Sequence, residues 1–251
     1  MPWTAQAFDE WYLLVYPHRD DAEGRRLIGL LSREVPLQGA KVIDLGCGPG
    51  RHLAAMEEAG AKPVGLDRSA SLLREAGRRI RETKSSAALV RGDWRTLPFA
   101  ADSFDGAASL FTSFGYFSEE DDRRSLAECA RVLREGGFFL LDYLNRNRVL
   151  VEDQAPRERA QGEYTIQEHK TLRENGRRVI KRVTISRSKT GALVADYEER
   201  VTLYDAEELR ALLIASGFRA DRTWGDYDGA AYDSSTSPRT IFLAFRESAC
   251  A

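Results

Sequence analysis

A short apolar run, Val42-Ile43-Asp44-Leu45, leads into glycines at alternate positions, Gly46, Gly48 and Gly50, and residues 51–59 then read as a helix. A strand that breaks into a glycine-rich turn and reopens as a helix commits this part of the chain to a β-α unit. The turn of such a unit is a place for a small ligand. Glycine lets the backbone approach a bound molecule closely, and the first helical turn leaves N–H groups unused for an anionic end. The spacing narrows the ligand further. A dinucleotide fingerprint, G-x-G-x-x-G, would need its third glycine where Arg51 stands. The pattern here is acid-x-G-x-G-x-G instead.

The flanking sequence supplies a sheet around that unit. From about 20 to 144, strands and helices alternate as in a parallel sheet. Residues 20–34 are expected as an amphipathic helix with Leu27, Leu30 and Leu31 on one face. Strands are expected at 41–45, 62–66, 87–91, 104–110 and 138–144. Between them stand helix signals: Gly60 as a stop, Ser69 and Ser118 as N-caps, and Gly136-Gly137 as a stop near Arg134. From about 151 to 204 the pattern changes to three long antiparallel strands, 163–173, 177–187 and 192–204, with Asn175-Gly176 as a two-residue hairpin turn. The first pattern then returns. Asp205 with Glu208 reads as a capping box, and strands at 218–224 and 240–246 close the chain. The domain reading is a core of 1–150 and 205–251, with 151–204 as an antiparallel insertion.

Composition excludes several classes of function. Lys+Arg of 37 against Asp+Glu of 39 gives a net charge of −2, so no global basic field draws the chain to nucleic acid or anionic lipid. Cys47, Cys129 and Cys250 lack metal-ligand or disulfide spacing, which predicts a reducing compartment. The first ten residues show no cationic start of a signal peptide. No apolar run approaches the roughly 18 residues that cross a bilayer. A cytoplasmic protein without a membrane partner is expected. His18, His52 and His169 are dispersed, and neither a metal set nor a Ser/His/Asp or Cys/His nucleophile set stands out.

The acid-x-G-x-G-x-G run closely resembles the motif of class I S-adenosylmethionine methyltransferases. The resemblance implies a doubly wound seven-stranded α/β sheet, mostly parallel with an antiparallel last strand. It implies S-adenosylmethionine as cofactor. In such a sheet the ligand lies at the carboxyl ends of the strands, so residues there are read together. Asp44, Gly46, Cys47, Gly48 and Gly50 come from the first strand and its turn. Asp67 and Arg68 end the second strand, and Asp67 is placed to take both ribose hydroxyls. Asp93 and Trp94 end the third. The resemblance gives the acid a contact to the adenine amino group and the next N–H a contact to a ring nitrogen. Leu110 and Phe111 end the fourth, where the family sets backbone beside the methionine part. Bland readings stand beside these: Asp44 bracing the turn, Asp67 capping a helix, Asp93 as turn chemistry, Asp105 as structural, and Cys47 as packing.

Methyl transfer from a sulfonium is an in-line displacement that needs alignment and exclusion of water. Aromatic and polar groups are therefore the acceptor candidates. Tyr116 and Asn145 are taken as catalytic, and Tyr12, Tyr16, Tyr116, Asn145, Tyr232 and Arg239 as acceptor-binding, with Phe8 and Trp11 nearby. Arg239 alternatively pairs with Asp226 to pin its loop. The segment 110–116, Leu-Phe-Thr-Ser-Phe-Gly-Tyr, resembles a run in small-molecule and sugar N-methyltransferases, which also carry an antiparallel insertion that lids the site and helps form a dimer. Where some of those have His after the glycine, this chain has Tyr116. A small polar acceptor with an N or O nucleophile is expected, together with a homodimer. The alternatives are an RNA methyltransferase using the basic insertion residues Arg173, Arg177, Arg178, Lys181 and Arg182, and a non-catalytic S-adenosylmethionine-binding protein.

Overall fold

A computed structural model of the chain describes residues 11–16 and 21–248. The first ten residues with Phe8, and also His18, Asp20 and Cys250, lie outside them. The elements are α1 (Tyr12–Val15), α2 (Asp21–Glu34), β1 (Lys41–Leu45), α3 (Arg51–Glu58), β2 (Lys62–Asp67), α4 (Ala70–Thr83), β3 (Ala88–Arg91), β4 (Phe104–Ser109) and α5 (Glu119–Val132). They continue as β5 (Leu133–Leu144), α6 (Arg146–Val151), β6 (Arg157–Gln161), β7 (Tyr164–Arg173), β8 (Arg178–Arg187), β9 (Leu193–Thr202), α7 (Ala206–Ala215), β10 (Phe218–Trp224) and β11 (Arg239–Arg246).

Seven strands form one sheet in the order β10-β11-β5-β4-β1-β2-β3. The run from β3 to β5 is parallel, β11 is antiparallel to β5, and β10 is antiparallel to β11. The central strands are apolar on both faces because helices cover both. On one side α2 buries Leu27, Ile28, Leu30 and Leu31 against Val42, Leu140 and Ile241. On the other, Leu126, Cys129 and Val132 of α5 and Leu209, Leu212 and Leu213 of α7 meet Ile43, Phe139 and Phe242. Burying each such leucine favours the fold by about 1.5–3 kcal/mol over leaving it exposed. The strand order reverses between β1 and β4, which opens a crevice at their carboxyl ends.

A second, antiparallel sheet runs β6-β7-β8-β9. Asn175 (φ 52°) and Gly176 (φ 78°) form the centre of the expected turn, closed by the Arg177 N–H donating to the Glu174 carbonyl at 3.0 Å. Val15 of α1 lies on this sheet among Ile166, Val183, Ile185 and Tyr197. Val179 and Val201 reach into the same apolar cluster as α5 and β5.

Two boundaries differ from expectation. α5 ends at Val132, and β5 starts at Leu133. Gly136 and Gly137 do not stop a helix. They lie in a bulge where the β4–β5 register shifts, and a Cβ at Gly137 would stand 2.8 Å from the Arg134 carbonyl. The insertion also has four strands, not three. Arg157–Gln161 shows no hydrophobic alternation and becomes a strand only by pairing with β7. No helix among the described residues is long and apolar enough to cross a membrane.

Candidate active site

The glycine-rich turn folds back over the end of β2, where the N–H groups of Gly46 and Cys47 both donate to the Leu66 carbonyl, at 2.8 and 3.0 Å. Gly46, Gly48 and Gly50 all have positive φ (77°, 52° and 77°), which explains the alternate spacing. Gly48 faces open space, with only the tip of Leu72 within 4 Å of a built Cβ. A cleft of about 490 Å³ opens there, at the carboxyl ends of β1, β2 and β4. Gly50 faces away from it. Its added Cβ would meet the Ala76 Cβ at 3.1 Å, so this glycine serves the packing of α3 on α4.

Asp67 ties the turn to the next helix. Its Oδ2 accepts the Gly48 N–H at 2.9 Å and its Oδ1 accepts the Ser69 N–H at 2.8 Å, while the Ser69 hydroxyl caps α4. Burial pushes its pKa up, and these N–H groups oppose that shift. Asp67 and Arg68 both line the cleft. Asp44 lies behind it, fully buried, with Oδ2 3.6 Å from His52 Nδ1. Neither carboxylate oxygen of Asp44, nor His52 Nε2, has a hydrogen-bond partner. His52 stacks on Phe111 at 5.2 Å, and the Arg51 guanidinium lies 4.0 Å from the same ring. Cys47 lines the cleft, but burial and the charges of Asp44 and Asp67 raise its thiol pKa, which removes it as a nucleophile.

At the far end Gly92 and Trp94 line the cleft. Asp93 does not. Its carboxylate takes Arg95 Nε and Nη2 at 3.0 and 2.8 Å and Arg68 Nε at 3.3 Å. Burial is the largest single influence and pushes its pKa up, but the Arg95 side chain and N–H together with the charge of Arg68 outweigh it and hold the pKa below the usual range. Phe117 stands between them, 5.7 Å from Arg68 and 4.4 Å from Arg95. Asp105, expected as structural, accepts the Lys41 N–H at 2.7 Å and pairs with Arg134.

Of the expected acceptor set, Tyr12 and Tyr116 line the cleft, as do Leu110, Phe111, Thr112 and Ser113. The other four are corrections to the sequence reading. The Tyr16 hydroxyl donates to Glu199 at 2.5 Å and accepts from Lys181 on the second sheet. The Asn145 amide donates to the carbonyls of Ser234 and Ser237 at 3.0 and 2.8 Å, and its oxygen caps α6. Tyr232 does not line the cleft. Arg239 pairs with Asp142 at 2.7 Å, and not with Asp226. The cleft also takes in Arg51 and His52, which the sequence reading leaves out of the site although cations in the first turn after a glycine loop are a visible signal.

A methyltransferase-domain family model matches residues 42–137. A glycine/sarcosine N-methyltransferase from Parasynechococcus marenigrum is 30% identical over 223 residues, covering 87% of this chain and 76% of that protein. This chain belongs to the S-adenosylmethionine-dependent methyltransferases. A solved S-adenosylmethionine-dependent methyltransferase from Clostridium acetobutylicum superimposes with a TM-score of 0.81 at 17% identity, covering 95% and 96% of the two chains. A sugar N-methyltransferase from a Streptoalloteichus species gives 0.73 at 21% identity, covering 96% and 94%. The methyltransferase presents what its cofactor asks for. A glycine cradle without side chains, an acid at the end of β2 and buried polar atoms still lacking partners beside Phe111 fit a nucleoside carrying a charged amino-acid end.

Proposed function

We propose that this methyltransferase acts on the amino nitrogen of a small polar acceptor. When bound, S-adenosylmethionine supplies a methyl group on a sulfonium, open to in-line displacement. We assign Asp67 to the ribose hydroxyls, Gly92 and Trp94 to the adenine, Leu110 and Phe111 to the side of the methionine chain, and His52, with Asp44 behind it, to its charged end. Tyr12 and Tyr116 are assigned to the acceptor, with Tyr116 orienting it.

One observation supports nitrogen over oxygen. Among the described residues, the cleft lining holds one carboxylate, Asp67, and one imidazole, His52, and both stand against the glycine turn. Around Tyr12, Thr112, Ser113 and Tyr116 the lining supplies hydroxyls. A neutral amine already carries the lone pair it needs, whereas an alcohol must lose a proton to a base as it attacks. The glycine/sarcosine and sugar N-methyltransferases similar to this chain also act, by name, at nitrogen. The second sheet is proposed to shape the mouth of the site, since α1 packs Val15 on that sheet and puts Tyr12 into the cleft.

The test is release of S-adenosylhomocysteine from S-adenosylmethionine across a panel of amino acids, amino sugars, short peptides, catechols and quinols. Turnover is expected with an amine. Turnover confined to hydroxyl acceptors would overturn the assignment.

A further inference from the structure

Phe111 and Thr112, on the wall of the cleft facing the glycine turn, have φ of 53° and 62°. Two consecutive left-handed residues, one aromatic and one β-branched, form a backbone that persists only where its surroundings over-determine it. Those surroundings converge on Asp142 of β5, which is fully buried. Its Oδ2 accepts the Phe111 N–H at 2.8 Å and the Tyr227 hydroxyl at 3.0 Å. Its Oδ1 accepts Arg239 Nε at 2.7 Å, and its carbonyl accepts the Thr112 N–H at 3.0 Å. Arg239 Nη2 then donates to the Thr112 hydroxyl at 2.9 Å. One residue thus holds both halves of the turn, directly and through Arg239.

The turn in turn aims Phe111. In this conformation its ring meets Arg51, His52 and Tyr227 together, at 4.0, 5.2 and 5.7 Å. A turn relaxed to the right-handed region would surrender the Phe111 N–H bond and swing the ring out of this stack.

We propose that Asp142 is a positioning residue for methyl transfer, holding the left-handed Phe111–Thr112 turn as the rigid wall against which the cofactor is aligned. Alignment matters because displacement at carbon requires the three reacting atoms in line, and small misplacements cost rate steeply. The proposal concerns the cofactor side alone and stands whichever acceptor is used.

Asp142→Asn keeps the volume and weakens the charge-assisted bonds. Titration calorimetry with S-adenosylhomocysteine, well below the melting temperature, should show a Kd raised about tenfold. Adding Thr112→Gly in that background should recover at least about threefold, since glycine holds a positive φ without help. A carboxylate that merely stabilises the core would not respond to glycine at 112. If Asp142→Asn fails to fold, Tyr227→Phe decides: it deletes one hydroxyl bond to Oδ2 and should weaken binding by about threefold with the fold intact. Unchanged affinity in the folded variant, or a loss that Thr112→Gly leaves wholly in place, would overturn the proposal.

Discussion

Asp122 in α5 is wholly buried, and its carboxylate accepts the Tyr204 hydroxyl at 2.9 Å. Burial pushes its pKa up to about 7, with Asp121 adding to the rise and Tyr204 and the N–H groups of Phe117 and Gly115 opposing it. Tyr143 is the other titratable group that faces it. A carboxyl whose pKa is higher folded than unfolded favours the native state in its protonated form. That stabilisation is complete below the unfolded value near 4 and is lost as the pH rises toward 7. The loss across this window is on the order of a few kcal/mol. Asp122→Asn keeps the shape and cannot ionise. Its melting temperature should therefore gain on the wild type steadily from pH 5 to pH 7.5, as followed by circular dichroism. Parallel curves for the two proteins would show that the carboxyl does not titrate there.

Hairpin β7–β8 carries the basic run of the RNA reading, and four of its five cations, all but Arg173, stand beside carboxylates that weaken its electrostatic basis. Arg177 reaches Glu119 and Glu208, Arg178 reaches Glu174, Lys181 reaches Glu168 and Glu199, and Arg182 reaches Asp196. Cations already neutralised release few counterions from a phosphate backbone. Filter binding of tRNA at 50 mM salt should show no retention beyond that of a neutral control protein, and tight binding with a steep salt slope would contradict this. The same elements show what could be read locally. Ser69, Ser118 and the Asp205–Glu208 box cap the helices as their spacing implies, because caps are decided within four residues. The glycine turn is local for the same reason. What could not be read depends on which distant strands become neighbours. Arg239 lies beside Leu144 because β11 inserts next to β5, and only that adjacency turns an expected acceptor contact into a partner of Asp142. Asn145 is likewise consumed by a loop 89 to 92 positions away, Ser234 to Ser237. β6 is a strand only because β7 offers it an edge.

The two sheets differ in architecture, yet the contacts between them should make them melt as one. The Thr202 N–H donates to the Gly115 carbonyl at 2.9 Å, and the Tyr143 hydroxyl donates to the Thr202 carbonyl. Val179 and Val201 are buried in the apolar cluster that holds Ile43 and Phe139. Unfolding the four-stranded sheet alone would expose that cluster and loosen the segment carrying Tyr116. A ligand held only by the seven-stranded sheet should therefore raise the stability of both. At a hundred times its Kd, S-adenosylhomocysteine stabilises the native state by about 2.7 kcal/mol. For a chain of 251 residues this corresponds to a melting temperature about 5–10 °C higher. Differential scanning calorimetry should show a single transition that moves by this amount as a whole, while NAD at the same concentration leaves it in place. Asp67→Ala should abolish most of the shift, because the ribose hydroxyls would then lose the acceptor proposed for them and the Gly48 N–H loses its partner. Two transitions, of which the ligand moves only one, would show that the insertion unfolds independently of the sheet that binds the cofactor.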